Sequence, residues 1–327
     1  MNKKTLILTV VFTLFLSSIA GAEINQNAGT LGSQFLEFGV GARAIGMGEV
    51  FVGIADDISA LYWNPGALCR LPGKQLTVSH MMMYQGINYE FGAFGMPIGD
   101  NMAVAFGASG VIINDLEART ADTDNPDDLF GAMDVAGIGA FSMKLGPLGV
   151  GASVKYLYQS IGSGQTDVGR DGDYLGTGLA VDLGVHYASD SSENGKGILA
   201  GVSIQNLGQG IVYNGPDGFT GVTNALPLII KAGFGYKDIE NNITIGADIN
   251  IPSDNDINLH FGGEYLVSKM FAVRLGFKTT TINDLDFLSG FSAGAGFNFE
   301  KILVDYAWVP YGPLGLFTHR FSVTAKF

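Results

Sequence analysis

Asp56 and Asp57 are the first pair in this 327-residue chain that could do chemistry. Adjacent carboxylates can share a proton and act as acid and base. In "GIADDISALYWNPGAL" (53–68), however, they precede a short helical run. There, Asp56, Asp57 or Ser59 can cap the turn, and the other carboxylate can pair with Arg43 or with a lysine of the strands that follow. The four histidines, His80, His186, His260 and His319, have no metal-ligand spacing, so no metal is expected. "DTDNPDD" (122–128) has the acid density of a calcium loop but lacks the glycine and final glutamate of a hand-type loop. It reads as a solvated extracellular loop. No glycine-rich phosphate loop precedes a helix and no nucleophile elbow is present, so neither an enzyme nor a cofactor is expected.

The elements that position these residues follow from composition. Mean hydropathy is positive, at +0.26. Glycine is 48 of the residues, and only 15% are charged. After residue 22 no apolar run reaches the ~18 residues of a membrane-spanning helix. That leaves a large soluble β core or a transmembrane barrel, whose apolar residues are spread along many strands. The start decides between them. "MNKK" is basic, "TLILTVVFTLFLSSIA" is apolar, and Ala20-Gly21-Ala22 is a cleavage signal, so 1–22 is a secretory signal peptide. The formal net charge of −13 argues against nucleic acid. Cys69 has no partner and reads as a small buried residue.

From Gln75 onward the pattern has period two. About fourteen segments alternate, near 75–83, 88–97, 101–113, 133–145, 148–160, 174–188, 197–207, 226–237, 242–251, 257–266, 271–279, 288–299, 302–308 and 319–327. Short turns follow the even-numbered segments, with 189–197 as the exception, and long polar loops follow several odd ones. That parity describes an all-β, antiparallel outer-membrane β-barrel of about 14 strands. One face of each strand must then meet lipid. Lys155, Asp182, His186, Lys231, Asp248, His260, Glu264, Arg274 and Asp305 fall on the opposite, lumen-facing register. Glycines share that register, among them Gly233, Gly235, Gly276, Gly294 and Gly296. They either leave lumen volume or admit a plug. Tyr156, Tyr158, Tyr187, Tyr236, Tyr265, Tyr306 and Trp308 lie near segment ends and suit an interfacial girdle. "MMMY" (81–84) reads as lipid contact, and the kink-prone "GFGYKD" and "FGGEYL" are places to seek a lateral opening. The final strand ends on Phe327, a terminal aromatic of the kind read by the barrel assembly machinery.

Residues 23–73 lack the alternation and fit a hatch, or plug, folded back inside the lumen ahead of the barrel at 74–327. In it Pro65 should end the helical turn and Gly66 permit a reversal. "GARAIGMGEVFVGIADDISALYWNPGAL" (41–68) resembles the N-terminal motif of the PorV/PorQ family, within the FadL-type fatty-acid transporter superfamily. Asn64 and Pro65 match the family's Asn-Pro-Ala turn, and Gly66 stands where alanine is usual. The resemblance covers about thirty residues. It implies a bacterial outer-membrane barrel with a hatch, gated around Arg43, Asp56, Asp57, Asn64, Pro65 and Gly66. It also implies one of two roles. The chain either passes a hydrophobic small molecule by hatch movement, or docks secreted cargo or subunits of the type IX secretion machinery. The expected partners are outer-membrane lipids, the assembly machinery, and a hydrophobic ligand or protein cargo.

Overall fold

The computed structural model describes residues 27–83, 86–118, 128–162, 174–189, 195–215, 220–279, 287–311 and 316–327. The leader at 1–22 and the acidic loop up to Asp127 lie outside the described residues; Asp128 opens a strand.

Fifteen strands form one antiparallel sheet. They are β1 (Gln75–Met82), β2 (Asn88–Ile98), β3 (Met102–Ala118), β4 (Asp128–Leu145), β5 (Leu148–Ile161), β6 (Tyr174–Ala188), β7 (Lys196–Asn214), β8 (Thr220–Asn224), β9 (Ile229–Asp238), β10 (Ile243–Pro252), β11 (Asn258–Leu266), β12 (Phe271–Lys278), β13 (Phe291–Phe299), β14 (Ile302–Tyr311) and β15 (Leu316–Lys326). β1 pairs with both β2 and β15, and β6 pairs with β7, so the sheet closes. β8 pairs with the far end of β7 on the same edge that β9 occupies nearer the short turns, so the two share one position and the barrel has fourteen strands. A closed barrel satisfies every ladder group within the sheet, which an apolar surrounding requires.

The pattern is legible because each strand sorts its side chains. Outward residues are apolar and open: Leu275 is 70% exposed and Phe106 61%. All nine charged or histidine side chains of the lumen register are buried. "MMMY" divides. Met81 is buried against the inner core, Met83 packs on that core, and Met82 faces out, so of these three only Met82 fits the expected lipid contact; Tyr84 lies outside the described residues.

The wall is uneven. β3 to β7 run 14 to 19 residues, whereas β9 to β13 run 8 to 10. The longer strands extend away from the short turns. Their extensions escape sequence reading because bulges break the alternation: at Ile113/Leu116 in β3, where Asp115 has φ 57°, and opposite β6 around Asn206, φ 63°. "GFGYKD" and "FGGEYL" lie in evenly paired strands, so the wall is irregular elsewhere, at β6–β7.

Residues 34–71 lie against the inner face of this wall. They comprise a 3-10 turn (Gln34–Glu37), α1 (Ala42–Gly46), α2 (Ala60–Trp63) and a second 3-10 run (Pro65–Arg70). Trp63, Phe51, Met47 and Leu61 are completely buried.

Candidate functional site

The turn at Asn64-Pro65-Gly66 is built differently from the sequence expectation. α2 ends at Trp63, and Asn64 is extended at φ −160°. Asn64 then caps a second helical run that begins at Pro65, accepting from the Gly66 N–H at 3.0 Å. Pro65 therefore starts a turn, as its fixed φ and missing donor favour. Gly66 makes no reversal. A Cβ there would sit 2.6 Å from the Gly184 carbonyl oxygen of β6, so glycine is needed for close approach to the wall. Asn64 also fastens the segment outward: its Nδ2 donates to the Val52 carbonyl at 2.9 Å and to that of Val185 at 3.0 Å.

The lumen glycines serve the same contact. A Cβ on Gly276 would lie 1.9 Å from the Gly48 nitrogen. Gly233, Gly235 and Gly294 face Gly53, Ile54 and Gly46 in the same way, whereas Gly296 faces Arg274 and Asp305. Of the two uses considered for these glycines, the wall employs close approach.

Three polar clusters surround the inner segment. The first lies at the end carrying the short turns. Arg43 grips Glu264 of β11 with two bonds of 3.0 Å, and also bonds Asp56 and Asp57. Arg274 of β12 joins Glu264 at 2.6 Å to Asp305 of β14 at 2.7 Å. Asp56 continues to Lys237 of β9 at 3.1 Å. Burial disfavours the charged Arg43, but Asp56, Glu264 and Asp57 outweigh it and hold the guanidinium protonated. Burial also pushes Asp56 up, and Arg43 and Lys237 more than reverse it, leaving its carboxyl below the usual range. The carboxylates divide the work. Asp57 caps with Oδ1, accepting from the Ser59 N–H at 2.9 Å and hydroxyl at 2.6 Å, and meets Arg43 at 3.2 Å with Oδ2, while Asp56 bridges Arg43 to Lys237. Ser59 itself makes no side-chain cap. A cavity of about 300 Å³ opens beside this cluster.

The second cluster is mid-wall. Lys155 bonds Asp182 at 2.9 Å and Asn206 at 2.7 Å. Lys231 places its ammonium 4.8 Å above the Trp63 ring. Its cross-strand neighbours Ser203 and Asn250 each keep a buried oxygen without a hydrogen-bond partner. Asp248 Oδ2 accepts from the Phe51 and Val52 N–H groups, both at 2.9 Å, and His186 Nε2 lies 2.9 Å from the Gly53 carbonyl. His260 contacts Asn250 and Asn258, not a carboxylate.

The third lies at the opposite end, where Glu49 bonds Lys278 at 2.7 Å and Gln34 bonds Asp254 at 2.9 Å. Burial and the neighbouring Asp254 raise the Glu37 carboxyl to about 7. Sequence reasoning missed Lys237, Glu49 and Lys278 as partners, because their pairing follows from where the segment lies in the lumen. Beside this end, β2 to β7 are apolar within: Phe91, Val111, Ile138, Leu157 and Ile211 belong to one buried apolar cluster with Phe35 and Leu36.

No protein-family model matches the sequence, and no curated protein matches it. Solved structures do. A TodX ΔS2S3 mutant monoaromatic hydrocarbon channel superposes with TM-score 0.61 at 14% identity, over 88% of this chain and 99% of that one. The CymD monoaromatic hydrocarbon channel gives 0.56 at 13%, over 88% and 98%. A Pseudomonas aeruginosa FadL homologue gives 0.50 at 16%, over 88% and 96%. The fold is that of FadL-like outer-membrane barrels. At these identities the likeness extends to the fold and no further.

Proposed function

We propose that the chain is a non-enzymatic barrel of the bacterial outer membrane that passes a small hydrophobic molecule, with residues 23–73 as its hatch. The observation that carries this reading is the apolar interior along β2 to β7, where Phe91, Val111 and Leu157 share one buried apolar cluster with Phe35 and Leu36 of the inner segment. Such a surface favours an apolar guest over water. The structural neighbours include hydrocarbon channels and a FadL homologue, which supports the same class of cargo. The motif at 41–68 supports placement with PorV/PorQ-type barrels, and Phe327 fits an assembly signal.

Hatch movement is testable with a reversible lock. Ala42→Cys and Ser322→Cys, in a Cys69→Ala background, place two thiols where α1 touches β15, at the point where the Ser322 hydroxyl accepts from the Ala42 N–H at 3.2 Å. Proteoliposomes would be assayed for uptake of a hydrophobic fluorophore. The proposal expects uptake above empty vesicles, its loss on oxidation, and its return with reductant. Uptake indifferent to the lock would overturn hatch gating.

A second reading, docking of secreted cargo or machinery subunits, is favoured by one observation. The inner segment meets the wall backbone to backbone, as at Gly48 and Gly276, with little slack for movement. Uptake no better than empty vesicles, with a secreted protein co-purifying in mild detergent, would select it.

A further inference from the structure

The chain is acidic, at −13, and its short-turn end mixes both signs, with Asp100, Asp238, Glu240 and Glu300 in or beside the turns. Lys144, Lys237, Lys269, Lys301 and Lys326 all stand at strand ends or turns there. The short-turn end holds the N-terminal side of β1 and the C-terminal side of β15, so in an outer-membrane barrel it faces the periplasm. The cavity beside Arg43 opens at this end, and its lining carries five cations and four carboxylates. The four carboxylates are already engaged: Asp56, Asp57, Glu264 and Asp305 hold Arg43, Arg274 and Lys237. Lys269 and Lys326 remain on the rim without an ion pair among the described residues. Beside Lys269, the turn exposes Val267 at 52% and Met270 at 58%.

We propose that this mouth docks an acidic, amphipathic segment of a periplasmic protein. Its carboxylates would meet Lys269 and Lys326, and its apolar side chains would cover Val267 and Met270. Charge complementarity identifies the occupant. Both lysines line the cavity mouth, whereas a lysine that served only lipid headgroups would sit around the outer belt. Once seated, an acidic side chain would stand near Lys237, where it competes with Asp56. Docking would thus be felt by the ion pairs that tie Arg43 to Glu264. The inference does not depend on what crosses the barrel.

The test uses the full mature barrel in phosphatidylcholine nanodiscs and a rhodamine-labelled peptide of alternating glutamate and leucine, followed by anisotropy. Binding should saturate and weaken with salt. Lys269→Glu with Lys326→Glu should weaken it about tenfold or more, equal to about 1.4 kcal/mol. Lys74→Glu with Lys301→Glu makes the same charge change at the same end but outside the cavity lining. It should change affinity less than about twofold. Heat-modifiable gel mobility would confirm that each variant is folded. Equal losses from both pairs would reduce the effect to bulk charge and overturn the proposal. So would absence of peptide binding, and so would a Lys269/Lys326 dependence confined to recruiting phosphatidylglycerol, which would make the lysines lipid anchors.

Discussion

Asn64 joins two parts of the fold with one side chain. Its amide ties the inner segment to itself at Val52 and to β6 at Val185, while its oxygen caps the next turn. Asn64→Ala removes three hydrogen bonds of about 1 kcal/mol each from a fully buried turn. We expect a loss of about 3 kcal/mol or more, read as a lower melting temperature and faster proteolysis of residues 27–73. Glycine offers an internal control. Gly276→Ala forces a methyl into the Gly48 backbone and should cost about 1–3 kcal/mol. Gly137→Ala, on the same barrel, meets nothing within 4 Å and should leave melting unchanged. Glu37 gives a pH dependence. Its folded-state value, about 7, lies above the ordinary 4.5, so it is bound to a proton more tightly when folded. The stability it contributes is complete below 4.5 and fades as pH rises through about 7. Hydrogen exchange of residues 34–38 should accelerate over that window, and Glu37→Gln should abolish the change.

At the scale of elements, the inner segment is held by two kinds of contact. Glycine backbones fix its middle, and ion pairs fix the end beside the cavity. Within the ion pairs only Asp56–Lys237 is about two-fifths exposed and therefore screened, whereas Arg43 and Glu264 are largely buried. Arg43→Gln removes the hub and leaves Asp56, Asp57 and Glu264 facing one another. We expect higher single-channel conductance in planar bilayers at unchanged barrel mobility on gels. Unaltered conductance would mean that the ion pairs do not hold a gate. The strands were legible because lipid and lumen impose opposite demands on alternate residues, as "ITIGADINI" records in a single run. The upper ends of β3 and β7 were not, because a residue in the left-handed region, Asp115 or Asn206, resets the register that alternation depends on. Asp56 and Asp57 could be sorted in principle, since a carboxylate two residues before a serine N–H is a capping geometry. Lys237 as partner could not, because it lies 181 positions away.

For the whole molecule, the fourteen-strand closure could be read from the count and parity of segments, and the inner segment's residues from their lack of alternation. How the two fit could not, since a lumen glycine looks the same in sequence whether it faces a void or a backbone. That fit has a consequence for assembly. Backbone atoms of residues 46–66 lie against glycines on β5, β6, β7, β9, β11, β12 and β13. Contacts so close, on so much of the circumference, leave no clearance for the segment to slide in after closure. The strands must therefore wrap around it, and the residues made first become the mandrel on which the later ones are wound.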